Sequence, residues 1–200
     1  YQKFTNNYMY RGATKSNDQG AVQGGFDVTY GDNVNILVQG SSVNYGTATM
    51  ELIIAPKISN NFGLDWLKFS AQYLHKTYPN YSDQMKNYFN AYHRFYYNNF
   101  TPYIKMSKQI NGNKIQYTEA GLKYKYSDYF LKVSYSKENS KIASTEETSE
   151  LNGKNTEISI GYVWKHYKLT LATNRYRKDA YTGGTPSTTK TSWASITYNS

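Results

Sequence analysis

The sequence predicts an all-β fold, a twelve-stranded antiparallel up-and-down transmembrane β-barrel. Three observations predict it. Apolar and polar residues alternate with period two along segments of about ten residues, helical spacing is scarce, and short and long links between segments take turns. Composition agrees. The 200 residues include 23 Tyr, 17% are aromatic and only 38% are hydrophobic, with a mean hydropathy of −0.77. Disordered chains can be this polar but are poor in aromatics, whereas Tyr, Val, Ile, Thr and Phe favour extended strands. Length and the absence of a linker point to one domain, 1–200.

The expected strands, in order, are 2–11, 20–31, 33–44, 48–58, 62–75, 84–97, 100–110, 115–126, 129–138, 155–165, 167–176 and 189–199. Tight turns follow at Asp32, 59–61, 98–99, 127–128 and His166, and longer loops at 12–19, 45–47, 76–83, 111–114, 139–154 and 177–188. Tight turns at one end and open loops at the other, with an even number of strands, is the pattern of membrane barrels. It places both termini at the turn end, expected to be periplasmic.

Alternation alone fits a soluble barrel as well, with the apolar set inside. One parity carries Phe26, Val28, Ile36, Ile54, Leu122, Leu131, Ile158, Ile160 and Leu171; the other carries Gln23, Asp27, Glu51, Lys68, Lys123, Lys132 and Ser159. Tyrosines near strand ends on the apolar parity (Tyr30, Tyr73, Tyr97, Tyr126, Tyr167, Tyr198) suit an interfacial girdle. Small residues on both faces would fill a soluble core poorly. Hence the apolar parity is expected to face lipid. Asn6, His93 and Gln116 fit that face badly and call for a bulge or an interfacial position; Pro56 and Pro102 call for bulges or strand ends.

The stretch "YMYRGATKSNDQGAVQGGFDVTY" (8–30) resembles the N-terminal signature of the TorF porin family, a conserved Gram-negative outer-membrane barrel family. The residues that carry the resemblance are Tyr8, Tyr10, Arg11, Gly12, Asn17, Asp18, Ala21, Gln23, Gly24, Phe26 and Asp27. "GSSVNY" (40–45) and "MELIIAPKIS" resemble the segments that follow, so the likeness covers about the first 60 residues. It departs at Ala13, where an aliphatic residue is expected. The resemblance implies a Gram-negative outer-membrane barrel. On this reading Tyr8 and Tyr10 face lipid, 12–19 is a water-exposed outer loop, and Arg11 pairs with Asp27 as a brace or touches solute.

The inward parity carries Lys3, Arg11, Lys57, Lys68, Lys86, Arg94, Lys105, Lys123, Lys125, Lys132, Lys165 and Lys168 against Asp27, Glu51, Glu119 and Glu157. Twelve strands about 4.8 Å apart and tilted by about 40° close a backbone cylinder about 24 Å wide, leaving roughly 10 Å or less between side chains. Fixed positive charge in such a channel concentrates anions; alternatively, the charges solvate or plug the interior. Tyr88, Tyr92, Tyr96, Tyr103 and Tyr117 also point inward and could stack on sugars or narrow the pore.

The expected function is therefore passive diffusion of small anionic or neutral solutes across the outer membrane. The alternative is a non-conducting barrel serving an envelope assembly or as a surface receptor, with the polar loop 139–154 as its contact. Expected partners are outer-membrane lipid and lipopolysaccharide, small solutes, and an oligomer or envelope complex. The formal charge of +9 and pI near 9.4 would admit nucleic acid, but the bases are spread around a closed wall, so none is expected.

No catalytic, metal or cofactor site is expected. Three His and no Cys make no metal cluster. His75 lies where a barrel lipase needs its base, yet Asn87 and Met50 flank it in place of a serine. The chain begins at Tyr1 without a signal peptide and reads as a processed product, and no apolar run approaches the roughly 18 residues of a spanning helix.

Overall fold

A computed structural model describes residues 1–11, 13–45, 48–79, 85–111, 114–143, 148–178 and 185–199. The expected loops at 45–47, 76–83, 111–114 and 177–188, and Gly12, lie wholly or partly outside them. The chain forms a closed antiparallel barrel of twelve strands: β1 (Gln2–Thr5), β4 (Ala21–Tyr30), β5 (Val34–Tyr45), β6 (Ala48–Asn60), β7 (Leu67–Thr77), β8 (Lys86–Phe95), β9 (Phe100–Gln109), β10 (Lys114–Tyr126), β11 (Tyr129–Ala143), β12 (Thr148–Trp164), β13 (Tyr167–Lys178) and β14 (Ser187–Tyr198). β1 closes the cylinder by pairing with both β14 and β4. The closing seam is short: Gln2–Thr5 pair with Ser195–Tyr198 on one side and Ala21–Gly24 on the other, and beyond it Ser187–Trp193 of β14 pair with β13 alone among the described residues.

Sidedness follows the sequence pattern. Ile158, Ile160 and Leu171 expose 47%, 54% and 52% of their surface outward, while their inward neighbours Ser159 and Asn174 expose 5% and 4%. A soluble barrel would show the reverse. This is a transmembrane β-barrel, wet inside and apolar outside.

The tight turns lie at one end. Tyr126 pairs with Tyr129 and Trp164 with Tyr167 across two-residue turns, with Ser127 and Lys165 at positive φ, which matches the twist of the flanking strands. An aromatic ring encircles this end: Phe100 on Tyr124 at 4.8 Å, Tyr129 on Tyr162 at 4.9 Å, Trp164 on Tyr167 at 6.1 Å and Tyr167 on Tyr198 at 5.3 Å. Amphipathic rings at one level mark a membrane–water interface.

Several boundaries differ from the sequence reading. The expected loop 139–154 is largely strand: β11 and β12 stay paired up to Ala143 opposite Thr148. The turn expected at 59–61 lies instead between Asn60 and Leu67, where Phe62 and Gly63 take positive φ. Pro56 interrupts the β6–β7 ladder, since pairing stops at Ile54–His75 and resumes at Lys57–Gln72 without a shift. Pro102 stands just past the last β8–β9 pair, Arg94–Tyr103. Gln116 faces outward towards the loop end opposite Lys108 and Asn139, in a polar collar. His93 packs edge-on against Phe69 at 5.0 Å.

The largest correction concerns the first strand. Only Gln2–Thr5 is in the wall. Asn6 leaves it, its backbone N–H donating to Ala194 O at 3.2 Å and its side-chain oxygen accepting from Ala194 N at 2.8 Å. Beyond it the chain forms a hairpin, β2 (Met9–Tyr10) against β3 (Ala13–Thr14), which is a sheet separate from the barrel. This hairpin lies in the lumen. Tyr8 and Tyr10 therefore do not face lipid, and 12–19 is not an outer loop.

Candidate functional site

The hairpin is held at its base by polar side chains suited to turns. The Thr5 hydroxyl donates to Asn7 O at 2.7 Å, and the Asn7 amide donates to Asp18 at 2.5 Å. Thr14 and Ser16 donate to the Asn7 side-chain oxygen at 2.7 and 3.2 Å. Asn17 and Asp18 take the left-handed conformation that such residues tolerate.

From this base the hairpin reaches two parts of the wall. The first is Glu51 of β6, whose carboxylate is wholly buried. Lys15 forms an ion pair with its Oε2, Lys76 of β7 lies 3.1 Å from the same oxygen, and the Tyr8 hydroxyl donates to Oε1 at 2.9 Å. Lys15 also donates to the Tyr78 hydroxyl at 2.5 Å, and Lys76 sits 3.9 Å from the centroid of Tyr10. One carboxylate thus serves two ammoniums away from water. Burial, aided by the neighbouring Lys76 charge, pushes the Lys15 ammonium down to about 7, and Glu51 only partly opposes this. Burial and the Glu51 carboxylate push the Tyr8 phenol well up.

The second anchor is the hairpin tip. Arg11, with φ of 52°, sends its guanidinium to Glu138 of β11 at 3.1 Å and Ser107 of β9 at 2.7 Å. The rings of Tyr88 and Tyr117 lie 4.9 and 4.7 Å from it. Since the hairpin springs from between β1 and β4, it crosses the lumen to reach β8–β11. The Arg11–Asp27 pair expected from sequence is replaced by Arg11–Glu138.

The inward tyrosines are committed to structure. Tyr88 and Tyr117 clamp Arg11, and the Tyr103 and Tyr117 hydroxyls donate to Glu119 at 2.5 and 2.6 Å. Gly121 makes room for this arrangement, since a Cβ there would meet the Tyr103 ring at 2.5 Å. Tyr92 donates to Gln72 at 3.3 Å. Tyr96 stands past β8 and lines a cleft of about 580 Å³ at the turn end with Asp32, Asp65 and Lys68.

Of the charged residues expected in the lumen, Glu119, Lys132 and Glu157 join in a chain, with Lys132 3.4 Å from Glu119 and 3.0 Å from Glu157. Lys105 lies opposite Glu119 in the ladder and over the Tyr92 and Tyr117 rings at 5.5 and 5.4 Å. Lys57, Lys68, Arg94, Lys123 and Lys168 have no ion pair among the described residues. Lys68 and Arg94 face each other directly, and Arg94 and Lys68 are electrostatic neighbours of Lys57, as is Asp27.

The lumen is thus graded along its axis: the hairpin's anchors Glu51, Lys76, Ser107 and Glu138 lie towards the loop ends of their strands, and the cations Lys57, Lys68, Arg94, Lys123 and Lys168 lie towards the turn ends. Sequence reasoning missed Tyr8, Lys15, Lys76 and Glu138 as lumen residues. The tandem Asn6–Asn7, poor in strand propensity, was the one local signal that the first strand ends early.

The fold and the polar lumen define the class: a closed twelve-stranded transmembrane β-barrel with a polar interior. The particular likenesses are to solved structures. The NanC porin superposes with a TM-score of 0.72 at 6% identity, over 100% of both chains. OccAB3 of Acinetobacter baumannii gives 0.57 at 11% identity, over 98% of this chain and 59% of that one. OpdQ of Pseudomonas aeruginosa gives 0.55 at 12%, over 96% and 58%. At these identities the likeness is one of fold. No family model matches the chain, and no curated protein matches it.

Proposed function

We propose that this protein is an outer-membrane channel for passive diffusion of small solutes, with a preference for anions, and that it belongs to the TorF porin family its N-terminal stretch resembles. The observation that carries the reading is the set of inward cations without ion-pair partners among the described residues: Lys57, Lys68, Arg94, Lys123 and Lys168. In a narrow, low-dielectric passage uncompensated ammonium groups attract anions and repel cations. The wall supplies binding and field, with no part in bond chemistry. On this reading the turn end with both termini is periplasmic, and lipid and lipopolysaccharide surround the apolar belt.

The test is single-channel recording with refolded protein in planar bilayers under a KCl gradient. The reversal potential should report chloride preference, and cation preference would contradict the proposal. Lys123→Glu should move the reversal potential towards cations more than Lys105→Glu, because Lys105 already faces Glu119.

A second reading is favoured by the inserted hairpin: a closed barrel that serves as a binding or assembly subunit. Absence of conductance steps in the wild type, with steps restored once the hairpin anchors are removed, would favour it.

A further inference from the structure

The hairpin leaves one part of the lumen unfilled. A cavity of about 540 Å³ lies against β1 and β12–β14, on the side away from the Arg11 and Glu51 anchors, with Met9 of the hairpin as its inner boundary. Ligand pockets commonly have this volume.

Its lining is graded along the barrel axis. Nearest the turn end, Lys3 of β1 and Lys168 of β13 both stand opposite Thr197 of β14, so a threonine stands between two lysines at one level, with the Lys168 ammonium 4.4 Å from the centroid of the Phe130 ring. The two side chains are electrostatic neighbours. Neither has an ion pair among the described residues, since nearby Glu157 is bound to Lys132. One step further along, Ser195 stands opposite Thr170. One step beyond that, Trp193 stands opposite Ala172, and with Met9 it makes the apolar end. Cations, then hydroxyls, then an indole form a sequence of contacts along one face.

We infer that this off-axis cavity is a solute-binding site for a small hydroxylated organic anion, with Lys3 and Lys168 holding its charged group, Thr197, Ser195 and Thr170 its hydroxyls, and Trp193 its apolar face. The inference deepens the channel reading, on which it rests, by placing the solute beside the wall of β1 and β12–β14 and away from the barrel axis. Two like charges at one level repel each other until an anion lies between them, which gives the site its selectivity for charge. Hydroxyl donors and acceptors that a bare inorganic ion could use only in part give it selectivity for a hydroxylated molecule.

The experiment is calorimetric titration of the detergent-folded barrel with gluconate, with sorbitol and inorganic phosphate as comparison probes. Saturable gluconate binding is expected, with none for sorbitol and weaker binding for phosphate. Lys3→Gln and Lys168→Gln should each weaken gluconate binding by at least about tenfold, as expected on losing a hydrogen bond to a charged group. Lys3→Arg should retain it, and Lys190→Gln, on the outward face of β14, should leave it unchanged. Absence of gluconate binding, phosphate binding as tight as gluconate, or indifference to both Gln substitutions would overturn the inference. Because binding is read without current, a barrel that conducts chloride but ignores gluconate loses this site alone, and one that binds gluconate without conducting loses the channel reading alone.

Discussion

Arg11 reaches across the barrel to Glu138, Nη1 to Oε2 at 3.1 Å, although 127 residues separate the two in the chain. The pair ties the tip of a hairpin rooted between β1 and β4 to the wall at β11. The Tyr88 and Tyr117 rings and Ser107 complete the guanidinium's surroundings. A buried, hydrogen-bonded arginine of this kind fixes position as well as charge.

Replacing Arg11 with Ala should therefore free the tip. Loss of charge-assisted hydrogen bonds of this type costs about 1.5–3 kcal/mol, enough to raise the withdrawn population of the hairpin by tenfold or more. Single-channel conductance should rise or become noisier, and Glu138→Ala should do the same to a lesser degree because Ser107 still holds Arg11. If both act through one contact, the double variant should resemble Arg11→Ala alone. Strictly additive effects on the open probability would contradict the contact.

Glu51→Gln attacks the other anchor and should do more damage. Without the carboxylate, Lys15 and Lys76 confront each other in a buried site, and breaking a buried pair from one side typically costs about 3–5 kcal/mol. Limited proteolysis should then cut within 6–20 while the barrel remains protease-resistant, since β1 and β4–β14 keep their ladders. A hairpin as protected as in wild type would show that Glu51 is not the latch.

How much of this could be read from the chain is best seen residue by residue. The wall was legible because a half-wet strand repeats every two residues: Ile158, Ser159 and Ile160 announce their sides unaided. Turn signals at Asp32, Asn98 and Ser127 fixed the tight end. The hairpin was not legible. Its Tyr8-x-Tyr10 spacing mimics a strand, and what places it inside is a set of long-range partners, Glu51, Lys76 and Glu138, which no local pattern reveals. For the same reason parity alone pointed Tyr88, Tyr103 and Tyr117 towards the interior where they are buried, while Tyr96 stands exposed past β8 and Arg11's hold on Tyr88 and Tyr117 had no local signal. The β11–β12 extension escaped because 139–154 is polar on both faces, so no alternation marks it once the strands rise beyond the apolar belt.

The Lys15 site makes the hairpin sensitive to pH. Withdrawn into water, Lys15 has the ordinary lysine value near 10.5; inserted, it is held down to about 7, with Glu51, Lys76, Tyr8, Tyr10 and Tyr78 around it. A depressed value means that the withdrawn state binds the proton more tightly. Insertion is favoured most above about 10.5, weakens as pH falls, and levels off below about 7. The protein should accordingly be noisier or more conductive at pH 6 than at pH 9, and Lys15→Met should flatten that dependence. A wild-type profile that ran the other way would reverse the assigned sign.

Depth in the membrane gives a final prediction, independent of the lumen. Leu171 lies on the outward face within the apolar belt, beside Ile160 in the ladder, whereas Gln116 lies outward near the loop end beside Lys108. Placing Arg at a lipid-facing position costs about 2–4 kcal/mol at the midplane of a barrel and about 0–1 kcal/mol near an interface. Leu171→Arg should thus lower the denaturant midpoint of the lipid-folded barrel substantially, while Gln116→Arg should barely move it. The same comparison fixes the height of the belt, because Gln116 escapes the penalty only if hydrocarbon ends below it. Equal costs at the two positions would place Gln116 in the hydrocarbon and require a different seat for the aromatic ring at the turn end.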